Sequence, residues 1–268
     1  MLAAIPLIRS LQVKAFASIQ LAPTLSAIAA RGRGILDDLY PRPAPDGQPP
    51  GAPLPPLRRA ITWPHRQAIL QQLDLHRLTG AGSAVIVLRA RIGDTLQDGT
   101  VVAGLHGGDA SDAAILGALV TGPERTFGQD PLFAFRLLAD IGLRALSSAV
   151  NDPATAVQVL DTIQSLLVPL ATRDLDVAEI ADSTGAVKVV LALPSWDDYL
   201  RIALEDLIEA ASRSPMVLLR ARALLAGLAD AAPPQRRPPV TWRLHRAEEL
   251  ASRDFPEIWR HAATGDPP

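Results

Sequence analysis

From Ala84 the chain reads Ala-Val-Ile-Val-Leu-Arg-Ala-Arg-Ile92, apolar and β-branched with charges alternating only at its end. After the turn dipeptides Gly93-Asp94 and Asp98-Gly99, Thr100-Val-Val-Ala-Gly-Leu105 resumes that texture. Such runs between glycine turns predict strands of a small β-unit. Downstream, apolar positions recur at intervals of three and four, which predicts helices. Asp130 and Pro131 open one that runs to about Leu146, and Asn151-Asp152-Pro153 opens a second through about Leu170. In each, an aspartate can accept the first amides and the proline stands where no amide is needed. Ser195 with Asp198 forms a capping box for a helix from Trp196 to about Ala211, Ser214-Pro215 opens another to about Leu228, and a polar helix near Leu244–Ser252 closes the chain. Between these helices Val187–Leu193 predicts a strand, paired through Ser183-Thr184-Gly185 with residues near Ile180.

Upstream of the strands the pattern predicts a short helix from Ile61 to about Leu78, ended by Gly80, and an amphipathic N-terminal helix from about Leu7 to Leu39, broken near Pro23. From Pro41 to Pro56 half of the positions are proline, which reads as a polyproline II spacer. The elements sum to an α+β fold: an N-terminal helical arm (1–40), a proline-rich linker (41–60), a small β-unit with a leading helix (61–110), and a mostly helical domain (111–268) with a β-hairpin near 178–193. The spacer predicts that the arm contributes little to the core of the rest.

Composition narrows the chemistry. The 268 residues are 48% apolar and 20% charged with a net charge of −2, so the chain has enough apolar surface to bury a core and lacks the basic footprint of a nucleic-acid binder. With no cysteine, disulfides, thiolate metal sites and cysteine nucleophiles are excluded. The β-unit's turn pattern resembles half of a biotinyl or lipoyl hammerhead, but no lysine lies between Lys14 and Lys188 to accept a covalent group. His65, His76, His106, His245 and His261 are dispersed, so no metal site is expected, and the phosphate-loop, dinucleotide and Gly-x-Ser-x-Gly patterns are absent. A spanning helix needs about 20 consecutive, mainly apolar residues. The nearest approach considered, between Lys14 and Arg31, is interrupted by Gln20 and Pro23, and the chain is read as having no transmembrane helix.

The helix from Pro131 to Leu146 carries Arg136, Asp140 and Arg144 four residues apart, a single charged stripe on an otherwise apolar cylinder. The stripe reads either as solvated intrahelical ion pairs or, with Arg125, Asn151, Asp152 and Thr155 beside the next helix start, as a site for an anionic small molecule. One network through Arg136, Asp140 and Arg144 is expected. No catalytic residue and no cofactor is assigned. The alternative is a hydrolase or transferase with Asp140 or Asp152 as base and the arginines on a phosphate or carboxylate.

At these residues the chain resembles a known family. Gly122-Pro-Glu-Arg-Thr-Phe-Gly-Gln-Asp-Pro131, then Phe135-Arg-Leu-Leu-Ala-Asp-Ile-Gly-Leu-Arg-Ala-Leu-Ser147, and Val150-Asn-Asp-Pro-Ala-Thr-Ala156 with Leu160-Asp161 are similar to the signature of the bacterial domain of unknown function 2254 family, predicted membrane proteins. Members carry several transmembrane helices before this region and often a Pro-Gly turn where this chain has Ser148-Ala149-Val150. The resemblance implies a membrane association on the cytoplasmic face, with a binding, sensing or assembly role, and brings no assigned activity. A homo-oligomer is compatible with it; nucleic acid is not an expected partner.

Overall fold

A computed structural model describes residues 21–45 and 53–259, and the fold is α+β. In chain order the elements are α1 (Leu21–Leu39), β1 (Leu57–Thr62), β2 (Ala68–Leu73), α2 (Leu75–Thr79), β3 (Val85–Leu88), β4 (Thr95–Leu96), β5 (Val101–His106), α3 (Asp112–Leu116) and β6 (Leu119–Gly122). These are followed by α4 (Phe133–Leu146), α5 (Pro153–Ala171), β7 (Glu179–Ala181), β8 (Val187–Val190) and α6 (Trp196–Leu200). A π-helical turn (Arg201–Glu205) leads from α6 into α7 (Asp206–Ala210), and α8 (Pro215–Ala231) and α9 (Arg237–Asp254) follow. The chain divides into two compact units that do not follow a single cut in sequence. One is helical and takes the described parts of 1–31, 134–168 and 200–268; the other holds the described strands and takes 32–133 and 169–199.

In the strand-bearing unit a five-stranded sheet runs β1-β5-β3-β8-β7 and a three-stranded sheet runs β4-β2-β6. Every pairing is antiparallel except β3 with β8, which is parallel. The expected hairpin near 178–193 is β7 and β8, and its parallel pairing of Ile86 with Val189 and Val87 with Val190 makes it part of the β-unit's own sheet. Inward side chains of both sheets, among them Ile61, Leu70, Ile86, Leu96, Val102 and Leu105, form one apolar core with Ile115 of α3.

Three expectations are corrected. The segment from Ile61 to Leu78 is not a helix: Ile61 and Thr62 end β1, Ala68–Leu73 is β2, and only Leu75–Thr79 is helical, capped by the Asp74 carboxylate on the Arg77 amide. The misleading signal is the spacing of three between Leu70 and Leu73. A bulge between Leu70 and Gln72, where the register against β6 shifts, inserts one residue and so returns both leucines to the same buried face. Nor is the whole of 41–60 an unpaired spacer. The Ala44 amide donates to the Thr172 carbonyl and the Asp174 amide to the Arg42 carbonyl, so Pro43 lies in a bridge that never calls on its missing amide, and Leu57–Ala60 are already in β1.

The N-terminal helix is also no loose arm. The expectation for Leu7 to Gln20 lies outside the described residues, but α1 runs unbroken from Leu21 with Pro23 tolerated in its first turn. Leu36 and Tyr40 at its end are buried. The Tyr40 and Tyr199 rings meet edge to face with their hydroxyls 3.0 Å apart, and burial pushes the Tyr199 phenol well above its ordinary value. Arg173 closes the same corner by donating to the Leu36 and Tyr40 carbonyls and pairing with Asp37.

In the helical unit α4 and α5 are a helix pair whose contact is set by Gly142. A Cβ there would lie 2.6 Å from Leu207 Cδ2 and 3.3 Å from Val159 Cγ1, so the glycine lets α4 close on both α5 and α7. Phe135, Leu138, Leu160, Ile163, Leu207, Leu218 and Leu225 fill the interior.

Candidate functional site

The turn between α4 and α5 is built by three residues with local roles. Asn151 adopts a left-handed conformation (φ 48°), which asparagine tolerates better than other side-chain-bearing residues. Its amide donates to the Ser147 carbonyl, and the Asp152 amide reaches back to Ala145. Asp152 then accepts from the Thr155 amide at 3.1 Å and the Thr155 hydroxyl at 2.7 Å, with Pro153 as the first residue of the helix. These two hydrogen bonds, the hydroxyl first, hold the Asp152 carboxyl below the usual aspartate value. A carboxylate with a depressed folded pKa contributes stability above its unfolded pKa, and that contribution is lost as the pH falls through the folded value. Thr155→Val, which keeps the amide and deletes the hydroxyl, should move the Asp152 titration up toward the ordinary value in a carboxyl NMR titration, and the variant should lose this contribution at a higher pH on acidification. An unchanged midpoint would refute the assignment of the cap.

The charged stripe on α4 lies at the surface. Arg136 and Asp140 form an i,i+4 ion pair at 2.7 Å with side chains 40% and 38% exposed, and Arg136 also lies 3.9 Å from Asp206. Arg144 is exposed and its guanidinium has no ion-pair partner among the described residues, so the expected three-membered network stops at two. An apolar helix with a stripe at its rim misreads as wholly buried because Leu137, Ile141 and Leu143 are themselves only half covered. Asp140→Ala should therefore cost under about 1 kcal/mol, the scale of a solvated pair, as urea unfolding would measure; a loss of several kcal/mol would contradict the exposed geometry.

Arg125 belongs to the strand-bearing unit and is already committed. Its Nε and Nη2 donate to the two Asp130 oxygens at 2.7 and 2.9 Å, Asp130 also accepts the Leu132 amide, and the guanidinium stacks on the Phe133 ring. The structure thus places Asn151, Asp152 and Thr155 together, pairs Arg136 with Asp140, and engages Arg125 in a separate ion pair in the other unit. The helix start expected to receive an anion is served by Asp152, whose own carboxylate meets the Thr155 amide.

A feature without any sequence signal lies in the strand-bearing unit: a cleft of about 330 Å³. It is lined by Ile35 and Leu39 of α1, Leu73 and Leu75 around the end of β2, Ile92, and Leu191, Ala192 and Leu193 after β8. Gln129 and Pro131, from the same segment as Arg125 and Asp130, also line it. Three lining residues carry polar side chains: Asp38, Arg91 and Gln129. Gln129 Oε1 accepts the Leu73 amide at 2.9 Å. Arg91 Nη1 donates at 2.9 Å to Asp198 Oδ2, the oxygen that also accepts the Ser195 amide and hydroxyl in the capping box of α6. Arg91, a lining residue, is thus tied to the helix cap of α6. Among the described residues no group of three or more His, Asp or Glu is placed to hold a metal ion.

One described helix, α5, is long and apolar enough to cross a membrane by length and composition. Its Ala156, Val159, Leu160, Ile163 and Leu167 are buried in the helical unit, and Asp161 and Gln164 on another face are bound by Arg220. That division of faces is the pattern of a core helix.

Comparison with known proteins adds a family and relatives. The model of the family described as predicted membrane protein (DUF2254) matches residues 11–227. An uncharacterised protein of Mycobacterium bovis and one of Mycobacterium tuberculosis strain H37Rv are each 30% identical over 252 residues, covering 89% of this chain and 48% of theirs. A third, from Mycobacterium tuberculosis strain CDC 1551, is 29% identical over the same length. The chain therefore spans about half the length of the curated relatives it matches. No solved structure matches it.

Proposed function

This chain belongs to the DUF2254 family of predicted membrane proteins, and from that premise we propose that it is a ligand-binding module of a membrane-associated protein, its ligand a small amphipathic molecule held in the cleft of the strand-bearing unit. The observation that carries the reading is the cleft itself: a space near the lower end of the size range of small-molecule sites, apolar on most sides with a few polar groups at fixed positions. The segment Gly128–Pro131 that closes it is anchored by the buried Arg125–Asp130 pair, so one wall is held by an ion pair instead of a mobile loop. The reading keeps the binding role expected from the sequence and moves it from the start of α5 to this cleft. The charged residues around α4 and α5 then serve the fold: Asp140 is paired with Arg136, and Asp152 with Thr155.

The test is binding of a neutral amphiphile, octanol, followed by methyl NMR. Resonances of Ile35, Ile92 and Leu191 should shift in a saturable manner, and Ala192→Phe, which places a ring at a lining position, should abolish the shifts while circular dichroism stays unchanged. Shifts that spread over the helical unit, or that survive Ala192→Phe, would sink the reading.

A further inference from the structure

We infer that the cleft selects an aliphatic carboxylate and that Arg91 holds its charged end; the inference rests on the cleft being a ligand site, as proposed above. Arg91 has one guanidinium nitrogen, Nη1, on Asp198, while its Nε and Nη2 have no partner among the described residues. The side chain is 38% exposed, and Arg91 lines the cleft together with Ile92, Leu191 and Leu193. A planar cation with two adjacent donors left over, at the edge of an apolar space, matches the two oxygens of a carboxylate in the bidentate geometry that arginine favours. Asp198 fixes the orientation: its Oδ2 takes the Arg91 donor and the two Ser195 donors together, so the guanidinium is aimed before any ligand arrives.

Size sets the rest of the molecule. A space of about 330 Å³, near the lower end of small-molecule sites, suits a carboxylate on a medium-length saturated chain, for which octanoate is the probe. Asp38 is the other charge on the lining, exposed on α1. It opposes a ligand with more than one negative charge and favours a single carboxylate over a phosphate ester, whose second ionisation would add to the repulsion.

The experiment is calorimetric titration of the full chain with octanoate, below its micelle concentration, beside octanol and acetate. Octanoate should bind with one site and at least tenfold more tightly than octanol, and acetate, which lacks the apolar body, should not bind measurably. Arg91→Met should weaken octanoate at least tenfold and leave octanol unchanged. Asp38→Asn, an exposed change that spares the fold, should tighten octanoate severalfold. Equal affinities for octanoate and octanol, with no response to either variant, would overturn the carboxylate inference while the cleft reading stands on octanol. Octanoate binding that persists in both Arg91→Met and Ala192→Phe would place the molecule elsewhere and overturn both.

Discussion

Asp130→Asn should cost roughly 3–5 kcal/mol of stability, because it leaves the Arg125 guanidinium facing an amide in place of the carboxylate that neutralises it. The Asp130 side chain is 1% exposed and that of Arg125 is 24% exposed, so water cannot take over the lost charge as it would at a surface pair. The surroundings leave no room for rearrangement. Gly93 sits against the pair at φ 95°, where a Cβ would stand 2.5 Å from Asp130 Oδ2 and 2.8 Å from Arg125 Nη2, and the Phe133 ring covers the guanidinium with Phe127 packed on it. Arg125→Met should be at least as damaging as Asp130→Asn, since it leaves a carboxylate that is 1% exposed with the neutral Leu132 amide in place of its cation. Urea unfolding of the two variants and of the double variant measures the coupling. Single losses below about 1 kcal/mol would show that the pair is solvated and that Gly93 is not conserving space for it.

The sequence made the local devices readable. Asp152-Pro153, Ser195 with Asp198, and Ser214-Pro215 each mark a helix start within a residue or two, because a cap and a first-turn proline act over three or four positions. What escaped is everything that depends on distant partners. Ala68–Leu73 is a strand because β4 and β6 lie on either side of it, and its bulge gives it a helical spacing. The hairpin of β7 and β8 joins the β-unit through one parallel pairing across about a hundred residues, which no local pattern announces. Among the candidate site residues, the joining of Asn151, Asp152 and Thr155 was legible since it is a cap, whereas the role of Arg125 depended on Asp130 being buried under Gly93. The cleft was illegible for the same reason: Ile35, Leu73, Arg91, Gln129 and Leu191 meet only in the folded unit. Arg91 carried a faint signal, as a charge closing an apolar strand, with nothing to tell it from a solvated end.

The helical unit holds a second ion pair, and there the two partners should respond unequally. Arg243 of α9 is 3% exposed and pairs with Glu205, the last residue of the π-helical turn, whose own side chain is 33% exposed. A π turn adds a residue to the helical path, and here it marks the place where Glu205 reaches Arg243 while Leu204 and Leu207 remain in the core. Glu205→Ala should destabilise by roughly 3 kcal/mol, because it removes the carboxylate paired with a guanidinium that is only 3% exposed. Arg243→Met should cost less, about 1 kcal/mol, since the apolar chain fills the same buried space and the remaining carboxylate can turn to water. Chemical denaturation with the double variant as the fourth corner of the cycle decides the matter. If Arg243→Met proves the more damaging of the two, the guanidinium's contacts with α9 and Trp242 outweigh its pairing with Glu205, and the π turn is then a packing adjustment with no electrostatic role.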